Sequence, residues 1–184
     1  MDTVIAKAEE RMKKTVGALV EEYNTLRTGR ASSALFDKIR VDYYGSQTPL
    51  NQVSTISVPE ARLVVIQPWD KAIIGDIEKA IQKSELSLNP SNDGKVIRIS
   101  IPPLTEERRK EFVKIAKNMA EQSRVGIRNI RRDANDELKK SQKDGTISED
   151  DLKRGEDNVQ KTTDKYIEEV NAALESKEQE ILEI

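Results

Sequence analysis

Apolar residues recur every third or fourth position over residues 2–29, at Val4/Ile5, Ala8, Met12, Val16, Leu19/Val20, Tyr23 and Leu26. That spacing puts them on one stripe of a helix. Asp2 is placed to cap its start and Gly29 to end it. The period then changes. Ile39, Val41 and Tyr43 alternate with Arg40 and Asp42, the pattern of a half-buried strand. Tyr44 to Pro49 reads as a turn, and Val53–Val58 and Leu63–Gln67 as two further strands. Helical spacing returns over Asp70–Lys83 through Ile73/Ile74, Ile77 and Ile81. Asn89 to Gly94 reads as a loop, and Val96–Ile101 as a last alternating strand.

Pro102 and Pro103 stop that strand, because proline offers no N–H to a sheet and restricts the residue before it. Thr105 is placed to cap a second long helix, with Glu106 and Glu107 in its first turn. Its stripe runs through Phe112, Ile115/Ala116, Met119, Ser123, Ile127, Ile130, Ala134 and Leu138. Lys143-Asp144-Gly145 makes a turn. Ser148-Glu149-Asp150-Asp151 then resembles a capping box with Asp in the usual Glu/Gln position. A third helix follows through Leu152, Val159, Tyr166, Val170, Ala173/Leu174 and Ile181.

Three such helices, each roughly 40–55 Å long, cannot stand alone in water with one apolar stripe apiece. The expected fold is α+β. Residues 1–30 and 105–184 form an antiparallel three-helix bundle. Residues 31–104 form a small inserted β/α/β domain with its own core, reached and left through a two-stranded hinge. Hydrophobic residues make up 36% and charged residues 35%, a balance that suits narrow helical stripes better than a thick core.

The 184-residue chain has no Cys and no His, which excludes a disulfide, a Cys nucleophile, a His general base and a His/Cys zinc site. No phosphate-binding glycine motif is present, and paired acids such as Asp150/Asp151 are consecutive on a helix and point apart. Trp69, Tyr43 and Tyr44 suit the core and surface of a small sheet better than base-stacking platforms. No apolar run approaches a membrane span.

The net charge of -2 conceals an asymmetry. Residues 105–140 carry 11 basic and 7 acidic groups, residues 141–184 carry 6 and 13. Four arginines, Arg124, Arg128, Arg131 and Arg132, fall in nine residues with no acid among them. At 100° per residue from Arg124, they lie at about 0°, 40°, -20° and 80°, while the apolar set lies between about 180° and 320°. Lys110, Lys114 and Lys117 share the cationic flank, and Glu121 is the acid inside it. A row of guanidinium forks can track a phosphate backbone. The plainer alternative spends these charges on the acidic third helix. Arg27-Thr28-Gly29-Arg30 and Arg108-Arg109 add cations where the chain crosses into the insert. Arg108 and Arg109 sit at a helix N-terminus, where the dipole disfavours them, so Glu106/Glu107 or an outside anion must favour them.

Arg27-Thr28-Gly29-Arg30-Ala31-Ser32, Tyr43-Tyr44-Gly45 with Thr48-Pro49-Leu50, and Leu88-Asn89-Pro90 occur in order along the chain. So do Pro102 to Lys110, Arg128 to Asp136 and Ile147 to Asp151. Together they resemble the ribosome recycling factor family over the whole length. The resemblance implies an L-shaped, tRNA-sized, monomeric and cofactor-free cytoplasmic protein that binds the post-termination 70S ribosome through 23S rRNA of the 50S subunit. Elongation factor G, through its own GTP hydrolysis, would then drive it to split the subunits. It assigns rRNA contacts to Arg27, Arg30, Arg109, Arg128, Arg131 and Arg132, and the hinge to Arg30, Ala31, Pro102, Pro103, Leu104 and Thr105. Two positions depart from the family pattern. Ser33 replaces a proline, which implies a looser hinge, and Thr162 replaces a leucine, which implies weaker local packing. From the residues alone, the competing reading is a non-catalytic helical scaffold or chaperone-like protein.

Overall fold

The structure, a computed structural model, describes residues 1–26 and 30–183. The chain divides into two compact units, Met1–Thr28 with Glu106–Glu183, and Gly29–Thr105.

The first unit contains three long helices: α1 (Asp2–Thr25), α3 (Glu106–Lys143) and α4 (Glu149–Leu182). Their stripes meet in one core that includes Met12, Leu19, Ile127, Leu138, Val159, Val170 and Ile181. The α1 stripe is buried as the spacing requires, but its ends differ from expectation. Met1 stands at the N-cap without a side-chain bond, and Asp2 lies in the first turn. The helix stops at Thr25, where Leu26 turns extended and its N–H bonds back to Tyr23. The expected stop at Gly29 lies outside the described residues. In α3 the buried side is carried by Ala116, Ala120, Ile127, Ile130, Ala134 and Leu138, while Ile115 is exposed. The capping box at α4 is present, with Ser148 and Asp151 exchanging hydrogen bonds.

Glycine has one clear packing role here. A Cβ on Gly155 would stand 3.0 Å from Leu138 Cδ1, so α3 and α4 approach closely there. At Gly126 a Cβ would meet Thr15 Cγ2 at an ordinary 3.6 Å. Thr162 is half-buried and its hydroxyl bonds to Asn158 O within its own helix. It lines a shallow hollow of about 390 Å³ with Ile5, Ala6 and Glu9 of α1.

The second unit holds a hairpin and a four-stranded antiparallel sheet. Strands β1 (Arg40–Tyr43) and β2 (Ser46–Pro49) form the hairpin. The sheet order is β3 (Ser54–Glu60), β4 (Leu63–Pro68), β6 (Ile97–Ser100), β5 (Pro90–Asn92). Helix α2 (Ile74–Gln82) buries Ile77 and Ile81 in a core with Val64, Ile66, Ile97 and Ile99. The turn expected over 44–49 is shorter. Tyr44 and Gly45, at φ 50° and 87°, reverse the chain, Asp42 accepts from the Gly45 N–H, and residues 46–49 pair as β2. The expected loop at 89–94 likewise contains β5, an edge strand that tolerates Pro90 at its first position.

Both chain ends of this unit are tied to one turn. The Ala31 N–H bonds to Ala61 O at 2.7 Å and the Ile101 N–H to Arg62 O at 2.8 Å. Ala31 is buried in the second core. Pro102 to Thr105 have no regular structure, and both prolines are exposed.

Candidate RNA-binding face

The geometry of the cationic flank follows from where α3 is buried. Its six buried residues centre about 70° from Arg124 and about 50° from Arg131, so these two border the buried side. Arg128 and Arg132 lie further out, at about 110° and 150° from that centre. Observed burial follows this order. The Arg124 side chain is 19% exposed and that of Arg128 41%. Arg131 is half-buried and Arg132 exposed.

The two bordering arginines reach across to α4 and find amides. Arg124 Nε donates to Asn171 Oδ1 at 2.9 Å. Arg131 donates to Gln160 Oε1 at 3.0 Å, and Gln160 Nε2 in turn donates to Asp164 at 2.8 Å. A neutral amide fixes a guanidinium without cancelling its charge. Arg131 Nε is also buried and has no hydrogen-bond partner among the described residues. Arg132 has no ion pair among the described residues. Gln160 and Asn171 went unnoticed in the sequence, since a lone amide on an acidic helix carries no signal until the facing arginines are known.

Glu121 is where charge is cancelled. Its carboxylate accepts from Arg124 at 2.9 Å and from Arg128 at 3.2 Å. The Arg124 and then the Arg128 hydrogen bonds hold its carboxyl below the ordinary range. Arg128 is therefore committed to a carboxylate, but one of its own helix. The acidic α4 takes lysines instead, Glu178 with Lys117 at 3.6 Å and Glu156 with Lys139 at 3.7 Å. Among the described residues no arginine of the 124–132 window pairs with an α4 carboxylate, whereas Lys117 of the same flank does.

The other candidate residues are placed differently. Arg109 is half-buried and its Nε has no hydrogen-bond partner among the described residues. It lies fifteen residues before Arg124, roughly 22 Å along the axis, and about 10° from the centre of the buried side. Arg108 is held by Glu111 at 2.8 Å and lies over the Phe112 ring, while Glu106 pairs with Lys110. Glu111 is thus one partner of Arg108, where Glu106/Glu107 or an outside anion was expected. Arg30 belongs to the second unit and is exposed. Arg27 lies outside the described residues.

Trp69 and Tyr44 lie on the surface of the second unit, their polar atoms bonded to Thr55 and Asp70. Among the described residues no group of acidic side chains could hold a metal ion, and no helix is long and apolar enough to cross a membrane.

Comparison with known proteins gives a consistent result. The family model of the ribosome recycling factor matches residues 19–182. The ribosome-recycling factor of Treponema denticola is 66% identical over 183 residues, covering 100% of this chain and 99% of that one. That of Halalkalibacterium halodurans is 61% identical, covering 98% of each. A solution structure of a ribosome recycling factor matches with a TM-score of 0.74 at 47% identity, covering 100% of this chain and 97% of that one. A second match has a TM-score of 0.63 at 48% identity and covers 98% of each chain. It comes from models of the T. thermophilus ribosome recycling factor and the E. coli elongation factor G bound to the E. coli post-termination complex.

Proposed function

Because the chain belongs to the ribosome recycling factor family, we propose that it binds the post-termination 70S ribosome as a non-catalytic factor and is used there, with elongation factor G, to separate the subunits. The helical unit supplies the RNA contacts. Its arginine flank meets 23S rRNA phosphates of the 50S subunit through Arg128, Arg131 and Arg132, with Arg109 and Arg30 as further contacts and Arg27 assigned on family likeness alone. The observation that carries this reading is that Arg131 is fixed by an uncharged amide and Arg132 has no ion pair among the described residues, so cationic charge is held in place and left available.

The β/α/β unit is the body on which the GTPase acts. This chain has no nucleotide-binding motif, so the free energy of GTP hydrolysis must come from the partner. Force passes through the segments that join the units, Arg30 on one side and Pro102-Pro103-Leu104-Thr105 on the other. Ala31, expected as part of the hinge, is bonded to the β3–β4 turn, which supports a pivot on the Arg30 side of it. The protein acts as a cytoplasmic monomer.

Subunit splitting, followed by light scattering of 70S ribosomes with elongation factor G and GTP, tests this. Arg131→Ala with Arg132→Ala is expected to weaken ribosome binding and slow splitting, most at low salt, because fewer phosphate contacts flatten the salt dependence. Full activity of the double variant would remove the arginine flank from the mechanism.

A further inference from the structure

Glu121 is placed unlike the other carboxylates of the helical unit. It lies on the outward flank of α3 with Lys110, Lys114, Lys117, Arg128 and Arg132, at about 60° where they span about 20–80°. It divides its two oxygens between two guanidinium groups. Oε2 accepts from Arg124 Nη1 and Oε1 from Arg128 Nη1. Arg124 is held from its other edge by Asn171. One anion bridging two guanidinium forks through two oxygens is also how the non-bridging oxygens of a phosphodiester would meet this pair.

Helix stabilisation alone does not account for the arrangement. The bond to Arg124, three residues on, would serve that purpose. Reaching Arg128 as well, seven residues on, adds a second exposed ion pair, and exposed pairs contribute little to stability. The electrostatic cost falls on the field of the whole flank, which an acid at its middle weakens.

We propose that Glu121 is an intramolecular competitor for phosphate: it occupies Arg124 and Arg128 in the free protein and yields them to RNA. This rests on the arginine-flank reading above and adds an ordering to it. Arg131 and Arg132 are available at first encounter. Arg124 and Arg128 engage only when a phosphate displaces the carboxylate. RNA that offers no phosphate at that position gains nothing from them, so the free protein stays weakly bound to bulk RNA.

The test uses the full-length protein and poly(U), read by fluorescence anisotropy across a salt series, with vacant 70S ribosomes in parallel. Glu121→Gln keeps the side chain's shape and removes its charge. It is expected to tighten poly(U) binding by about 3–10-fold at low salt and to steepen the log–log salt dependence by about 0.7 for each phosphate gained. In Glu121→Gln combined with Arg128→Ala, compared with Arg128→Ala alone, about half of that gain should vanish, because one of the two released guanidinium groups is gone. An equal gain with Arg128 absent would show a general charge effect and overturn the proposal. So would no gain in a Glu121→Gln protein of normal helicity. Should that variant misfold, Glu121→Asp serves instead, since a shorter carboxylate cannot span both arginines and should give part of the gain. Arg132→Ala separates the two readings. Unchanged binding on its removal would refute the flank itself, whereas weakened binding with no Glu121→Gln gain would refute the competitor alone.

Discussion

Gln160→Glu converts the neutral partner of Arg131 into a carboxylate of nearly the same shape. Arg131 and Gln160 stand 3.0 Å apart, so the new carboxylate would form an ion pair with little movement. On an exposed surface that pair adds about 0.2–1 kcal/mol. Against it, the Gln160 Nε2 bond to Asp164 at 2.8 Å is lost. Two like charges four residues apart also cost about 0.2–0.5 kcal/mol. The terms nearly cancel, and a chain of this size shifts by about 2–4 °C per kcal/mol, so the melting temperature should move by about 2 °C or less. Binding should respond quite differently. Removing one phosphate contact lowers the log–log salt slope by about 0.9, which at 0.1 M salt is roughly an eightfold loss relative to the 1 M reference. Co-sedimentation with vacant 70S ribosomes between about 0.05 and 0.3 M salt reads both quantities. Gln160→Ala, which frees Arg131 without neutralising it, should retain the slope. A folded Gln160→Glu protein with unchanged affinity and slope would refute the argument that amide anchoring preserves a usable charge.

Two further outcomes test the fold. Gly155→Ala gains about 1 kcal/mol of helix propensity but forces a methyl against fully buried Leu138, an overpacking cost of about 1–3 kcal/mol. Thermal melts should show it destabilised or at best unchanged. Gly17→Ala, with nothing within 4 Å, should raise the melting temperature by a few degrees, and the reverse order would refute the packing account. Burial pushes the Tyr23 hydroxyl up to about 12, with Arg124 opposing and Glu178 adding to the rise, and the hydroxyl donates to Ala116 O at 2.7 Å. The unfolded phenol loses its proton near pH 10 while the native one keeps it, so stability should fall as pH rises from about 10 to 12. Tyr23→Phe should flatten that fall in alkaline denaturation, and an unaltered profile would refute the assignment.

Local periodicity made the long helices, the Asp151 capping box and the α2 stripe legible, because each depends on residues within a few positions of one another. The same holds for the cationic flank of α3, which is an angular property of one segment. Strands β2 and β5 were not legible. Ser-Gln-Thr-Pro and Pro-Ser-Asn read as turns, and they become strands because β1 and β6 offer them a ladder. Gly155 carries no signal by itself, since its role follows from Leu138, which only packing sets against it.

The sequence by itself determined how much positive charge α3 carries and on which side. Only the tertiary structure decided which of those charges are spent. Arg131 faces Gln160, 29 residues away, and Arg124 faces Asn171, 47 away. Whether such a partner is an amide or a carboxylate depends on how two helices are set against each other along their length. Helix periodicity fixes the direction in which a side chain leaves its own axis. What it meets there is fixed by packing.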